Sequence, residues 1–591
     1  MTTAASPPAV RAATDGARRT RLRGVGLFTV VGWLVAAFLV TIATYPLLRV
    51  LLRLFWVDGS LDLSAIGDTL AVRGLASMIA DTLVLVVASS TVALAIGALL
   101  AWVNERTDAR MGIATDALPM MPFLLPPVAG AIGWVLLASP GAGYVNVVAR
   151  DLLGAVGVEM TTGPFDIYSW YGLVGVMVVY QVPFVFLMVS AGLSSLDSAL
   201  EEQSRICGAG TWRTLRKVTL PALAPSLGGA VLLMAWQGFA IFSIPAIIGE
   251  PAGIETLSVR IVRVLSFTFP PETGVAVGLS AIVVGFVGIT WYLQTRLLRS
   301  GRFATVGGQS RDRDRIGLGA WRWPVRLLVI GYLIASVVLP IAALALVCLN
   351  GFWSPSIDWG SLSLDPVRET VFDTPSTFRA LANSLRLGVT GATFGMVAAA
   401  IVAVVVTRSR TRFGRFADAA IKMPASISNI VLAVGILLAF AGDPFGLGGT
   451  FWILLIGYLA LYLPQGSVAA DTAASQVAPE LAEASLVSGA RAGRTFVKIQ
   501  LPLMVPGLVA GWALLFARMA GDLTASAILS GTRNPVVGFR ILDVYQNGSY
   551  AEVAALSTVL VAVTATVVTA LMIWSRRHAT WAGAAVGTGA T

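Results

Sequence analysis

The sequence has few of the side chains with which proteins bind metals or activate nucleophiles. It contains one histidine, His578, and two cysteines, Cys207 and Cys348, in 591 residues. These residues are far apart in the chain, so we predict neither a metal site of the usual ligand count nor a disulfide framework. None of the lysines follows a glycine, so a phosphate-binding Gly-Lys-Ser/Thr loop is excluded. We therefore predict that the chain is not an enzyme by itself and binds no cofactor.

Charge is also scarce. Charged residues make up 12% of the chain and hydrophobic residues 56%, whereas a soluble domain carries about 25% charged residues. This is more apolar surface than one soluble core can bury, and a lipid bilayer removes the difficulty. The sequence thus predicts an all-α polytopic membrane protein. The net charge of +10 does not indicate nucleic-acid binding, because no basic patch is interleaved with aromatic residues.

Twelve apolar stretches are long enough to cross a bilayer as helices. We place them near 25–48, 79–103, 113–138, 170–195, 225–249, 273–295, 327–349, 382–407, 417–441, 448–470, 506–530 and 551–575. An even number of spans puts both termini on one side. With the N-terminus inside, the inner loops and tails hold 28 Lys and Arg residues and the outer loops hold 10. Positive residues concentrate in cytoplasmic loops, so we predict that both termini are cytoplasmic.

The sequence repeats itself at an offset of 281 residues. Segments 202–225 and 483–506 share ten residues in 24 positions, where chance gives roughly one or two at ordinary composition. Each segment lies between the fourth and fifth apolar stretch of its half, which predicts two six-helix repeats in the same orientation. The predicted division is a disordered tail 1–22, a first repeat 23–300, a cytoplasmic linker 301–326, a second repeat 327–577 and a tail 578–591.

Both repeated segments contain the same spaced motif. The first runs from Glu202 through Gly208 to Leu220-Pro221, and the second from Glu483 through Gly489 to Leu501-Pro502. The spacing resembles the EAA loop of bacterial ABC-importer permeases, although Gln203, Ser204 and Ser485 depart from that pattern. The resemblance implies that each loop docks an ATPase subunit. The residues implied in docking are Glu202, Gly208, Ala209, Leu220, Pro221, Glu483, Ala484, Gly489, Ala490, Leu501 and Pro502.

More of the chain, about 79–295 and 382–575, resembles the fused permeases of the ferric-iron and thiamine importer type. The similarity includes Leu125-Pro126-Pro127, Ser243-Ile244-Pro245 and Gly521-Asp522-Leu523. It implies a bacterial inner-membrane permease with two copies of an ATP-binding subunit, which would carry the ATP and Mg. An extracytoplasmic substrate-binding protein and membrane lipid are the other implied partners. The implied cargo is ferric iron, with thiamine, polyamine, sulfate and organophosphonate as alternatives.

Few polar side chains fall within the predicted spans. Gln181, Gln237, Arg518 and Asp522 are candidates for the translocation path or for helix contacts. Arg518 and Asp522 lie four residues apart, so on one helix they would share a face. A charge at bilayer depth costs at least about 2.5–3.5 kcal/mol on insertion scales and normally faces the bundle interior. We predict that these two charges either neutralise each other or line the path.

A twelve-helix secondary transporter is the alternative class. The basic segment 408–415 resembles the loop signature of the major-facilitator class, but its residue order differs. Clustered positive charge is also typical of any cytoplasmic loop. A co-purifying ATPase subunit would decide between the two classes.

The orientation can be tested by labelling single cysteines in a background without the two native ones. Labelling from outside is expected at Gly141, Ser363 and Asn547. Labelling at Gln309 and Thr580 is expected only after the membrane is permeabilised, because both positions lie on the predicted inner side. External labelling at Gln309 would contradict the orientation.

Overall fold

A computed structural model describes residues 27–57, 60–112, 118–196, 198–299, 315–406 and 411–587. The predicted tail 1–22, residues 301–314 of the predicted linker and the last four residues, 588–591, lie outside these ranges. The described chain is almost wholly helical, and its one sheet is a hairpin of β1 (Trp56–Val57) and β2 (Ser60–Leu61). The predicted all-α membrane class is confirmed.

The main helices of the two halves follow one another in the same order, apart from one additional helix in the first half, Tyr144–Ala155. The first half contains α1 (Leu27–Phe55), α2 (Leu75–Arg106), α3 (Pro127–Ala138), α4 (Trp170–Ser195), α5 (Ser198–Ile206), α6 (Ala224–Ala240) and α7 (Thr273–Arg299). The second half contains α8 (Gly319–Asn350), α9 (Pro375–Val405), α10 (Asn429–Phe440), α11 (Phe451–Ser475), α12 (Pro479–Val487), α13 (Leu501–Ala520), α14 (Val537–Gln546) and α15 (Tyr550–Gly587).

Not every predicted span is a continuous helix. Within the described ranges nine helices are long and apolar enough to cross a membrane, and there are eleven candidates if each of two bent helix pairs is one span. The predicted span 417–441 bends by 109° ahead of α10. The described part of the predicted span 113–138 is a 3-10 turn, Leu118–Leu124, followed by the short α3. Prolines explain these breaks, because a proline lacks the N–H that a continuing helix needs. Pro122 and Pro126 precede α3, and Pro424 precedes α10.

The first helix of each half packs against the other half. Helix α1 contacts α9 and α10 of the second half, and α8 contacts α3 of the first half. Both contacts bring a glycine against a proline. A β-carbon on Gly133 would lie 2.7 Å from the carbonyl oxygen of Pro340, and one on Gly435 would lie 2.6 Å from that of Pro46. Only glycine allows the two backbones to approach so closely, so the two halves interlock at these points.

Substituting these glycines should therefore disturb the packing of the bundle. We expect Gly133→Val and Gly435→Val each to destabilise the fold by about 1–3 kcal/mol through overpacking. Gly288→Val is the matched control, because it also adds a valine to a membrane helix but meets no atom within 4 Å. Thermal unfolding and the yield of monodisperse protein measure the effect. Equal stability of all three variants would disprove the close packing.

Candidate functional sites in the paired loops and the central cavity

The two predicted docking loops share one turn geometry. Gly208 has φ of 82° and Gly489 has φ of 87°, a conformation that favours glycine. The N–H groups of Gly208 and Ala209 donate to the last turn of α5, and those of Gly489 and Ala490 donate to the last turn of α12. This pattern satisfies carbonyl groups at a helix C-terminus and reverses the chain sharply. Each loop is thus a short helix, a fixed turn and a second short helix.

A pair of hydroxyl groups ties the two short helices together in each loop. The Oγ of Ser204 lies 3.0 Å from the Oγ1 of Thr214, and that of Ser485 lies 2.9 Å from that of Thr495. The two serines are positions at which the sequence departs from the EAA pattern. Their threonine partners are identical in both copies of the repeat, so this hydrogen bond is repeated along with the turn.

Several apolar side chains on the two loops are exposed. Ile206 is 84% exposed, Trp212 72% and Val487 89%. Exposed apolar patches of this kind mark interaction surfaces. Leu200 in α5 is also exposed, whereas Leu196, which precedes α5, is buried. The predicted docking residues that are exposed are Glu202, Gly208, Leu220, Pro221, Glu483, Ala484, Gly489 and Pro502, whereas Ala209, Ala490 and Leu501 are half-buried.

The first loop is anchored by a buried ion pair that the sequence did not reveal. The Nε of Arg106, at the end of α2, lies 3.1 Å from a carboxylate oxygen of Glu201. The hydroxyl of Thr219 donates to the same carboxylate at 2.8 Å, and Arg106 also donates to the carbonyl of Leu193 at 3.2 Å. We call this set the clamp. Glu201 adjoins the predicted Glu202, but nothing in the spacing distinguished its role.

The second loop has a different anchor. The repeat offset places Ala482 and Gln500 where the first loop has Glu201 and Thr219, so the ion pair has no counterpart there. Instead, the ring of Phe496 packs on Phe28 of α1 with 5.0 Å between centroids. The two loops therefore share a shape and differ in what holds them to the bundle.

A small cavity lies between the two halves at the middle of the bundle. Its volume is about 70 Å³, and both halves contribute to its lining. It brings together three of the four predicted path residues, Gln237, Arg518 and Asp522. Gln181 does not line this cavity. It is fully buried and donates to the hydroxyl of Ser89 on α2 at 3.2 Å, so it makes a helix contact.

Arg518 and Asp522 do not share a helix face, and that prediction is wrong. Helix α13 ends at Ala520, and the next residue, Gly521, packs so closely on the first half that a β-carbon there would lie 2.8 Å from the ring of Pro126. Beyond this break the Asp522 carboxylate accepts hydrogen bonds from the backbone N–H groups of Ala525 and Ser526, at 2.9 and 3.0 Å. Asp522 thus caps the next short helical turn.

The two charges have separate partners. The second carboxylate oxygen of Asp522 accepts a hydrogen bond from Tyr462 at 2.5 Å. The guanidinium carbon of Arg518 lies 5.2 Å from the ring centroid of Phe123, in cation–π contact. Among the described residues the Arg518 guanidinium has no hydrogen-bond or ion-pair partner, and its Nε is buried. The structure therefore shows no ion pair between Arg518 and Asp522.

A larger cavity, of about 710 Å³, lies at the end of the bundle opposite to the paired loops. It is lined by aromatic rings and by Glu250 and Arg263, which form an ion pair. The hydroxyl of Tyr545 donates to the carbonyl of Ile247 at 3.0 Å and lies 3.4 Å from the hydroxyl of Tyr168. Burial raises the pKa of both Tyr168 and Tyr545, so both hydroxyl groups stay protonated.

The acidic side chains of both cavities are engaged by the protein itself. The carboxylate of Asp522 is used as a helix cap, and that of Glu250 pairs with Arg263. In the part of the chain that the structure describes, no three His, Cys, Asp or Glu side chains lie close enough together to hold a metal ion.

A family model described as "Binding-protein-dependent transport system inner membrane component" matches residues 24–294 and 391–581. Relatives match over much of the chain. A protein named probable ABC transporter permease protein y4fN, from Sinorhizobium fredii, is 24% identical over 68% of this chain and 76% of its own length. The Fe(3+)-transport system permease protein FbpB 2 of Haemophilus influenzae is 21% identical over 82% of this chain and 88% of its own length. The spermidine/putrescine transport system permease protein PotC of Escherichia coli K12 is 28% identical over 35% of this chain and 77% of its own length.

The separate environments of Arg518 and Asp522 predict how their substitutions combine. Asp522→Ala should destabilise the fold by about 1–3 kcal/mol, because it leaves the N–H groups of Ala525 and Ser526 unsatisfied. Adding Arg518→Ala should not restore stability, since the two side chains form no ion pair and the N–H groups of Ala525 and Ser526 stay unsatisfied. Thermal unfolding of the single and double variants measures this. Recovery of stability in the double variant would mean that the two charges do pair.

Proposed function

We propose that this chain, which belongs to the family of binding-protein-dependent transport system inner membrane components, docks one ATP-binding subunit on each of its paired loops and forms the translocation path between its halves. The chain is the ABC permease subunit of a binding-protein-dependent importer, as the family and the relatives establish. Docking is supported by the two loops, which repeat one turn geometry and leave apolar side chains uncovered.

The loops have the properties that a docking element needs. Each one is held rigid by a glycine turn and a Ser–Thr hydrogen bond, so little conformational entropy is lost on binding. Burying an exposed side chain such as Ile206 or Val487 in a partner's groove contributes about 1.5–3 kcal/mol. Two equivalent loops fit a partner that binds twice, such as an ATPase dimer. ATP and Mg would then belong to that partner.

The path would run between the halves through the central cavity. On the predicted orientation, with both termini in the cytoplasm, the loops face the cytoplasm and the 710 Å³ cavity faces outward. An extracytoplasmic binding protein would deliver cargo to that cavity. Gln237, Arg518 and Asp522, from both halves, line the narrow central part of the proposed path.

The relatives differ in the cargo that their names state. Three of the compared proteins are named for ferric or Fe(3+) transport and others for spermidine and putrescine transport. Ferric iron therefore stays a prediction for this chain, with thiamine, polyamine, sulfate and organophosphonate as the alternatives.

The docking role can be tested by straining the turns. Gly208→Val and Gly489→Val force a β-branched residue into positive φ, which costs roughly 1–2 kcal/mol per residue. We expect each variant to bind its ATPase subunit about tenfold more weakly, and to stimulate ATP hydrolysis less. The measurement is co-purification and ATPase stimulation in detergent or nanodiscs.

Gly210→Val provides the matched control. Gly210 lies in the same loop and a β-carbon there would meet no atom within 4 Å, but its φ of −68° suits any residue. The control should bind the ATPase as the unchanged chain does. Unaltered binding and stimulation in both turn variants would rule out docking through these loops, and uptake without any ATPase subunit would favour a secondary transporter.

A further inference from the structure

We propose that the cargo crosses the central cavity as an anion, or bound in an anionic complex, and that Arg518 is the residue that receives it. This inference rests on the proposed translocation function. It deepens that function by assigning a chemical class to what passes.

The hydrogen-bonding capacity of Arg518 is unused. A guanidinium carries five N–H donors in one plane and no acceptor. Among the described residues Arg518 makes no hydrogen bond or ion pair, while it lines a cavity at the middle of the bundle. The contact with Phe123 does not satisfy these donors, because the aromatic ring attracts the cation as a whole and accepts no in-plane hydrogen bond. The donors are therefore available to whatever occupies the cavity.

The acidic side chain of the same cavity is already engaged. Both carboxylate oxygens of Asp522 accept hydrogen bonds, one from Tyr462 and the other from the backbone of Ala525 and Ser526. Its geometry is set by the helical turn that it caps, so it is directed to the protein's own N–H groups. The protein's own donors thus use most of the acceptor capacity of this carboxylate, whereas the guanidinium donors of Arg518 are unused, so an anion gains more hydrogen bonds here than a cation does.

The other polar groups of the lining also suit an anion. Gln237 occupies in the first half the position that Arg518 occupies in the second, and Asn429 lines the cavity with them. Their amide N–H₂ groups are further donors. A volume of about 70 Å³ holds about two waters, at roughly 30 Å³ for each water. That space suits a small oxyanion, and guanidinium groups match the planar, bidentate geometry of carboxylate and phosphate oxygens.

The inference separates the candidate cargoes. Sulfate and organophosphonate offer oxygen acceptors to Arg518 directly. Polyamines and thiamine are cations and would meet a like charge. Ferric iron would pass only within a complex whose ligands carry net negative charge.

The test uses the purified full chain in lipid nanodiscs and follows its thermal unfolding at constant ionic strength. The probes are sodium sulfate, sodium phosphate, methylphosphonate and ferric citrate, compared with sodium chloride, spermidine and thiamine. We expect at least one oxyanion or the anionic ferric complex to raise the unfolding temperature, and the two cations to leave it unchanged. Arg518→Gln should abolish the rise, and Arg518→Lys, which keeps the charge without the planar donors, should retain part of it.

Arg386→Gln is the matched control. Arg386 also lies in cation–π contact, 5.0 Å from the centroid of Phe451, but it does not line the cavity. This variant should respond to the oxyanions as the unchanged chain does. If Arg518→Gln does not fold, the response of the unchanged chain and of Arg518→Lys still decides the matter.

Three results would overturn the proposal: no rise with any anionic probe, a rise with spermidine or thiamine instead, or a rise that persists in Arg518→Gln. ATPase capture measured on the same preparations keeps the two proposals distinct. A chain that captures the ATPase but ignores anions leaves the importer function standing and removes only the anionic cargo.

Discussion

A broken helix at membrane depth exposes N–H and C=O groups that lipid cannot satisfy, and the centre of this molecule is organised around that constraint. The breaks ahead of α3 and after α6 and α13 meet at one place. The hydroxyl of Tyr180 donates to the carbonyl of Pro126, and that of Ser428 donates to the carbonyl of Phe239 near the end of α6. With the cap that Asp522 provides, side chains of neighbouring segments thus form hydrogen bonds with backbone groups at each of these breaks. The small polar cavity lies where these groups converge.

A side-chain hydroxyl also caps the start of a short helix once in each half, away from the central cavity. Thr82 on α2 accepts a hydrogen bond from the N–H of Leu257, at the start of a short helix, at 3.0 Å. Ser384 on α9 accepts one from the N–H of Val537, at the start of α14, at 2.9 Å. Each hydroxyl caps a helix that does not cross the bundle by itself. The repeat therefore duplicates the way the backbone is satisfied, as well as the helices.

The sequence predicted the features that depend on local chemistry. Apolar length located the helices, and the offset of 281 residues located both loops with their glycine turns, because those turns are fixed by residues close in the chain. It did not predict the bends, the clamp of Arg106 and Glu201, or the cap at Asp522, since these depend on partners far away in sequence. The equivalence of Gly133 and Gly435, each of which packs on a proline in the first helix of the other half, was also missed. The offset is larger ahead of α4, because the first half has an extra helix, Tyr144–Ala155, between α3 and α4, so a single shift does not align the third spans.

The two halves share the same arrangement of main helices, but they differ in how each loop is attached to the bundle and in the charge that each contributes to the central cavity. Load on α5 reaches α2 through the clamp, whose Arg106 is only 5% exposed. Breaking one partner of such a buried pair is costly, so this joint is stiff. Load on α12 instead reaches α1 through the rings of Phe496 and Phe28, a contact worth about 0.5–1.5 kcal/mol beyond its buried area. Helix α1 packs on the second half, and α2 packs on α4 of the first half. Equal forces applied to the two loops would therefore be transmitted to different helices. The asymmetry of Arg518 and Gln237 at the central cavity thus lies within a bundle whose two loops are also attached unequally.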